Sequence, residues 1–252
     1  MKLDHLPKIT MEYWIVLIVS SILGANTGDF LSDILDFGHL FGLPILAVLF
    51  AVILIAEKLD TFNHCAYYWM AIIVVRSAAT NIGDIGHDLH LNSLLVMSVL
   101  AATLMVTLLY WKKTEKLSWP ESYCLATNPL YWWTMLMAGS LGTVVGDYFS
   151  YGLGLGNLNA ACILGALVAV FLLFGNNGRT SQLLYYWTTV VCIRSAGTAA
   201  GDFFAHEVFG LEISTGVFVI LFIFSMIALR QVVTSWPLSK QYAFTKLQIA
   251  SK

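Results

Sequence analysis

Charge is what this chain has least of. Only 11% of its 252 residues are Asp, Glu, Lys or Arg, against about 25% in soluble domains, while 58% are hydrophobic and the mean hydropathy is +0.77. That balance excludes an ordinary soluble enzyme and indicates a membrane protein in a lipid bilayer. With 13 Lys and Arg against 15 Asp and Glu, no polybasic surface exists to neutralise phosphates, so no nucleic-acid partner is expected. Cysteine is scarce and unpatterned. Cys65, Cys124, Cys162 and Cys192 form no C-x-x-C pair, which argues against a disulfide framework or a thiolate zinc site and predicts free thiols. The chain also lacks G-x-S-x-G, H-E-x-x-H and Walker A sequences, so no enzymatic activity is expected. Its charged start is followed by no small-residue cleavage pattern, so the first helix is expected to stay attached.

What the chain has in abundance is apolar runs. Eight of them, near 12–32, 41–57, 66–89, 93–111, 130–152, 157–175, 184–209 and 212–230, approach the roughly 20 residues that span a bilayer. Eleven of the 13 basic residues (Lys2, Lys8, Lys58, Lys112, Lys113, Lys116, Arg179, Arg230, Lys240, Lys246 and Lys252) fall at the termini or in the second, fourth and sixth connections. By the positive-inside rule both termini are cytoplasmic. The eight tryptophans (Trp14, Trp69, Trp111, Trp119, Trp132, Trp133, Trp187 and Trp236) cluster at the same ends and read as anchors at headgroup level. The run Gly152-x-Gly154-x-Gly156 follows a spanning helix rather than a strand, which makes it a turn and not a nucleotide loop.

Aligned on their aromatic starts, the odd runs expose a fourfold repeat: EYWIVLIVSSILGANTGD, YYWMAIIVVRSAATNIGD, LYWWTMLMAGSLGTVVGD and YYWTTVVCIRSAGTAAGD. The distance from Trp14 to Asp29, Trp69 to Asp84, Trp132 to Asp147 and Trp187 to Asp202 is 15 residues each time, with Gly always preceding Asp. An internal period of this kind means stacked copies of one supersecondary unit. Only the second and fourth units carry an arginine, Arg76 and Arg194, where the others have Ser21 and Gly139. The predicted fold is therefore an all-α integral membrane protein of eight transmembrane helices in four tandem two-helix repeats. Its A-B-A-B order implies two four-helix halves, 1–118 and 119–252, about a pseudo-twofold axis. Small residues four positions before each motif Gly (Gly24, Ala79, Gly142, Gly197) predict that the odd helices meet at the centre and the even ones ring them.

These four units, each with a Tyr-Trp start and a Gly-Asp end, resemble the bacterial four-repeat membrane family catalogued as a repeat of unknown function. The resemblance covers nearly the whole chain. It implies this topology and a bacterial cytoplasmic (inner) membrane, and it implies no activity.

The motif aspartates sit about 22 Å from the aromatic belt in a core of about 30 Å. Charges there are costly and are expected to face the bundle interior. Residues at i, i+4 spacing share that face: Arg76, Thr80, Asp84, Asp88; Arg194, Thr198, Asp202, His206; Gly139, Thr143, Asp147, Tyr151; and Ser21, Ala25, Asp29, Asp33,. The expected site is a cation site of Asp29, Asp84, Asp147 and Asp202, helped by Asn26, Asn81, Thr80, Thr143 and Thr198. Four Asp against two Arg leave a charge that a divalent metal ion or shared protons would balance, and the oxygen donors suit a hard ion. Transport of a divalent cation is thus the first reading. A second is proton-coupled transport of a small organic anion bound by Arg76 and Arg194. A third is a non-transporting scaffold or sensor, in which the buried ion pairs only fix helix register. His39 falls at the same end, where His87, Asp88, His90, His206 and Glu207 offer a weaker metal vestibule.

Overall fold

A computed structural model describes residues 7, 9–60, 65–114, 127–174 and 182–229. They form eight α-helices: α1 (Met11–Asp29), α2 (Gly38–Leu59), α3 (Ala66–Asp88), α4 (Ser93–Thr114), α5 (Pro129–Asp147), α6 (Asn157–Phe174), α7 (Gln182–Asp202) and α8 (Leu211–Ala228). Among the described residues five helices are long and apolar enough to cross a bilayer: α1 with its extension to Ile34, and all four even helices. The chain is a multi-pass membrane protein. Helices α3, α5 and α7 fall short of that standard because they hold the small and polar residues of the interior.

Local sequence sets the helix boundaries. Asn128 caps α5, its Oδ1 accepting the Tyr131 N–H at 2.8 Å, and Pro129 follows as the first helical residue, where its missing N–H costs nothing. The links from odd to even helices turn at positive φ: Gly38 (67°), Gly154 (66°), Gly156 (76°) and Gly210 (83°), with His90 (54°) doing this in the second unit. The glycine run after α5 is thus the expected turn.

The odd helices close into a ring. Helix α1 packs on α3, α3 on α5, α5 on α7, and α7 returns to α1. Each even helix covers not its own partner but the next odd helix: α2 lies on α3, α4 on α5, α6 on α7, and α8 on α1. This one-step offset staples neighbouring units together, and the contact of α8 with α1 seals the circle. The windows that qualify as spans are 61% buried in α1 but only 17–28% buried in the even helices, as expected of an outer layer facing lipid.

The ring is tight because small residues line its seams. A Cβ added at Gly24 would lie 2.5 Å from the Arg76 Cγ, and one at Gly83 would lie 2.8 Å from the Thr143 Cγ2. A Cβ at Gly142 would collide with the Cβ of Arg194, and one at Gly197 with the Ser21 hydroxyl. Each unit's small-xxx-small pair therefore cradles the polar stripe of a neighbouring odd helix. Gly142→Ala is expected to destabilise the protein by about 1–3 kcal/mol through overpacking, read as a lower thermal midpoint in detergent. An unchanged midpoint would show that the α5–α7 seam can relax.

The tryptophans depart from expectation. Trp14, Trp69, Trp132 and Trp187 are at most 6% exposed, Trp111 is 4% exposed, and among the described tryptophans Trp133 alone, at 47%, faces outward. They pack inward because the ring's aromatic end offers them tyrosine faces. Trp119, Trp236, Cys124 and most of the basic residues lie outside the described residues. Cys65, Cys162 and Cys192 form no disulfide, as expected.

Candidate functional site

The polar stripe lies on the axis of the ring, in five layers spaced four residues apart. A step of four overshoots a straight helix's turn by about 40°, so a stripe kept central over sixteen residues requires crossed helices, as small-residue seams allow. At one end are Tyr13, Tyr68, Tyr131 and Tyr186. Next come Leu17, Ile72, Met135 and Val190, then Ser21, Arg76, Gly139 and Arg194, then Ala25, Thr80, Thr143 and Thr198. Asp29, Asp84, Asp147 and Asp202 complete the stack.

The tyrosine layer is a closed hydroxyl ring. Adjacent oxygens lie 2.9 Å (Tyr13–Tyr68), 2.7 Å (Tyr68–Tyr131), 3.3 Å (Tyr131–Tyr186) and 2.7 Å (Tyr186–Tyr13) apart. Each hydroxyl can donate to one neighbour and accept from the other, so the ring satisfies itself. All four side chains are at most 2% exposed. A tryptophan fits between each pair: Trp69 stands 5.2 Å from Tyr68 and 5.3 Å from Tyr13, and Trp187 stands 5.0 Å from Tyr186 and 5.6 Å from Tyr131. This eight-ring collar blocks the axis. Sequence reasoning missed it, although the signal was present: extending the arginine stripe back by two steps of four reaches Tyr in all four units.

The two arginines, equivalent in the repeat, behave differently. Arg76, 1% exposed, bridges three odd helices. Its Nη1 donates to Thr80 Oγ1 (2.9 Å) and Thr143 Oγ1 (2.7 Å), and its Nη2 to Thr198 Oγ1 (2.5 Å) and the Arg194 carbonyl (3.4 Å). The three expected threonines are thus brought together, on a guanidinium. Arg194 points toward the tyrosines, and among the described residues the one polar contact of its guanidinium is Nη2 to the Met135 sulfur at 3.6 Å. Ser21 and Gly139, small residues in this layer, leave room for both.

The four aspartates share one electrostatic neighbourhood. Asp84 feels the charges of Asp29, Asp147 and Asp202, Asp29 those of Asp147 and Asp202, and Asp147 that of Asp202; Arg76 is the cation common to all four, and His206 acts on Asp202 as well. They are the least buried layer of the stripe, with the Asp84 side chain 21% exposed and Asp202 9%. In three units the α-helix passes into a π-helical segment straight after this Asp: Phe30–Ile34, Tyr148–Gly152 and Phe203–Val208. Such π turns often mark functional positions. The second unit instead remains α-helical through Asp88. There His39 bridges two carboxylates, with Nδ1 2.7 Å from Asp88 and Nε2 3.8 Å from Asp84.

Other expected residues serve elsewhere. Asn26 Nδ2 donates to Ser214 Oγ on α8 (2.8 Å), and Asn81 Nδ2 to the His39 carbonyl (3.3 Å) while its Oδ1 accepts from Ser32 (3.3 Å). Both amides tie the ring to its surroundings, because a residue three places before Asp lies about 60° off the axial face. His87, Asp88, His90, His206 and Glu207 are exposed. Among the described residues no three His, Cys, Asp or Glu side chains gather closely enough to hold a metal ion. The vestibule residues therefore form no preformed metal centre: His87 lies in the last turn of α3 and His90 just beyond it, whereas His206 and Glu207 lie on the π turn after α7.

The family model for the Repeat of Unknown Function (DUF347) matches three times, at residues 13–59, 130–175 and 185–232, more than half of the chain. The chain belongs to this family. The DUF347 matches coincide with the first, third and fourth units, those with a π turn after the aspartate. The second unit keeps the same spacing and the same place in the ring, with His39 in addition. Neither a curated protein nor a solved structure matches the chain.

Proposed function

We propose that this DUF347 protein is a membrane transporter or channel-like protein that moves a cation, a divalent metal ion first, through the layer of Asp29, Asp84, Asp147 and Asp202. The observation that carries the reading is that four repeat-related carboxylates have one cation in common, Arg76, held one turn below them by Thr80, Thr143 and Thr198. If ionised, the layer has a negative surplus that an incoming cation would balance. Metal binding would have to draw the carboxylates together, loosening Arg76 from them, so occupancy and the position of Arg76 are linked.

In this reading all eight helices span the bilayer and both termini are cytoplasmic, as the basic residues favour. The aspartate layer then opens to the outside of a bacterial inner membrane, and the tyrosine collar closes the cytoplasmic side. The halves 1–118 and 119–252 exchange access about the pseudo-twofold axis. The rival reading, an organic anion on both arginines, would require Arg76 to give up its threonines.

The test is flux of Mn²⁺ and Mg²⁺ into vesicles holding the purified protein. Asp→Asn at any one of the four positions is expected to lower flux by about tenfold or more, the effect of roughly 1.4 kcal/mol. Unchanged flux in all four variants would sink the assignment.

A further inference from the structure

Arg194 is a buried cation that nothing among the described residues balances. It is 1% exposed, and its Nε and Nη1 have no hydrogen-bond partner. The guanidinium's single polar contact among the described residues is the Met135 sulfur. Among the described residues no carboxylate lies within 4.0 Å of it; it faces the four collar tyrosines, neutral phenols whose hydroxyls already bond one another, and the like charge of Arg76. Arg76 offers the contrast, since its two terminal nitrogens are engaged and the aspartates face it. Arginine does not shed its proton in proteins, and an unpaired buried charge is strongly destabilising. A water molecule would satisfy N–H groups but would leave the charge.

We propose that Arg194 holds a small monovalent inorganic anion of the chloride class on the axis, beside the layer of Leu17, Ile72, Met135 and Val190. These four side chains are at most 1% exposed, so the occupant is small and fully dehydrated. That favours chloride, bromide or nitrate over sulfate, phosphate or an organic carboxylate, whose dehydration or bulk the layer does not accommodate. The anion is a bound co-ion that neutralises the half of the axis that the aspartates do not reach. This site does not depend on the cargo assigned to the aspartate layer.

The test uses the purified full-length protein in detergent, melted in chloride, bromide, nitrate or gluconate salts at equal ionic strength. The expected result is a saturable rise of several degrees in the thermal midpoint with the three small anions over gluconate, because a ligand of the folded state alone stabilises it by mass action. Arg194→Met should abolish the dependence, and Arg194→Lys should keep it at lower affinity. Crystals grown in bromide should show an anomalous peak beside the Arg194 guanidinium, a readout that needs no variant. Equal wild-type midpoints in all four salts, or a bromide peak only elsewhere, would overturn the proposal, as would an undiminished chloride effect in Arg194→Met.

Discussion

Replacing Arg76 with Met is expected to cost about 3–5 kcal/mol of stability, the loss typical when one side of a buried charge set is removed. Four aspartates would lose their common cation, and Thr80, Thr143 and Thr198 would lose the guanidinium that joins three helices. Arg76→Lys should recover little of it, because one ammonium on a flexible stem cannot reproduce a planar fork spread over three hydroxyls. Adding Asp84→Asn to Arg76→Met should restore part of the loss by lowering the uncompensated charge, a positive coupling measurable in a double-mutant cycle. Unfolding midpoints of the four proteins in one detergent decide the matter. Wild-type stability in Arg76→Met would remove the shared counter-ion from the account.

The tyrosine collar yields a second large effect with an inverted dose dependence. Tyr13 and Tyr131 are diagonal in the hydroxyl ring, each bonded to both Tyr68 and Tyr186. Changing Tyr13 and Tyr131 to Phe strands two buried hydroxyls, at about 1–3 kcal/mol each. Changing all four to Phe removes every donor and acceptor together, which can be nearly neutral. The quadruple variant is therefore expected to melt higher than the double one. A quadruple variant less stable than the double would mean that the hydroxyls bond something besides one another. In vesicles the double variant should also leak small ions past the loosened tyrosine end, and a tight vesicle would separate the collar's structural role from a barrier role.

Much of this was legible in the chain. The invariant 15-residue spacing identified four copies of one unit, and the residues at Gly24, Ala79, Gly142 and Gly197 marked the seams where backbones meet. The i, i+4 stripe from Ser21, Arg76, Gly139 and Arg194 to the aspartates placed side chains on one face, as helical geometry requires. The tryptophans were misread because membrane-interface composition alone does not distinguish a ring facing lipid from one facing a neighbouring tyrosine. Asn26 and Asn81 were misplaced because a residue three positions away on a helix sits on the flank, where α8 and the start of α2 wait for it.

Residue order settled the helices, their period and the face each one presents, since these follow from spacing along a single helix. It did not settle which neighbour each face would meet. That depended on closure: α7 returning to α1, and each even helix stepping onto the next unit. Only in the closed ring do Arg76 and Arg194, alike in sequence, part company, one rising to three threonines beneath the aspartates and the other turning toward the tyrosines. Two guanidinium groups of like charge on one axis cannot occupy the same space or the same field, and that conflict arises only once the four units surround a common centre.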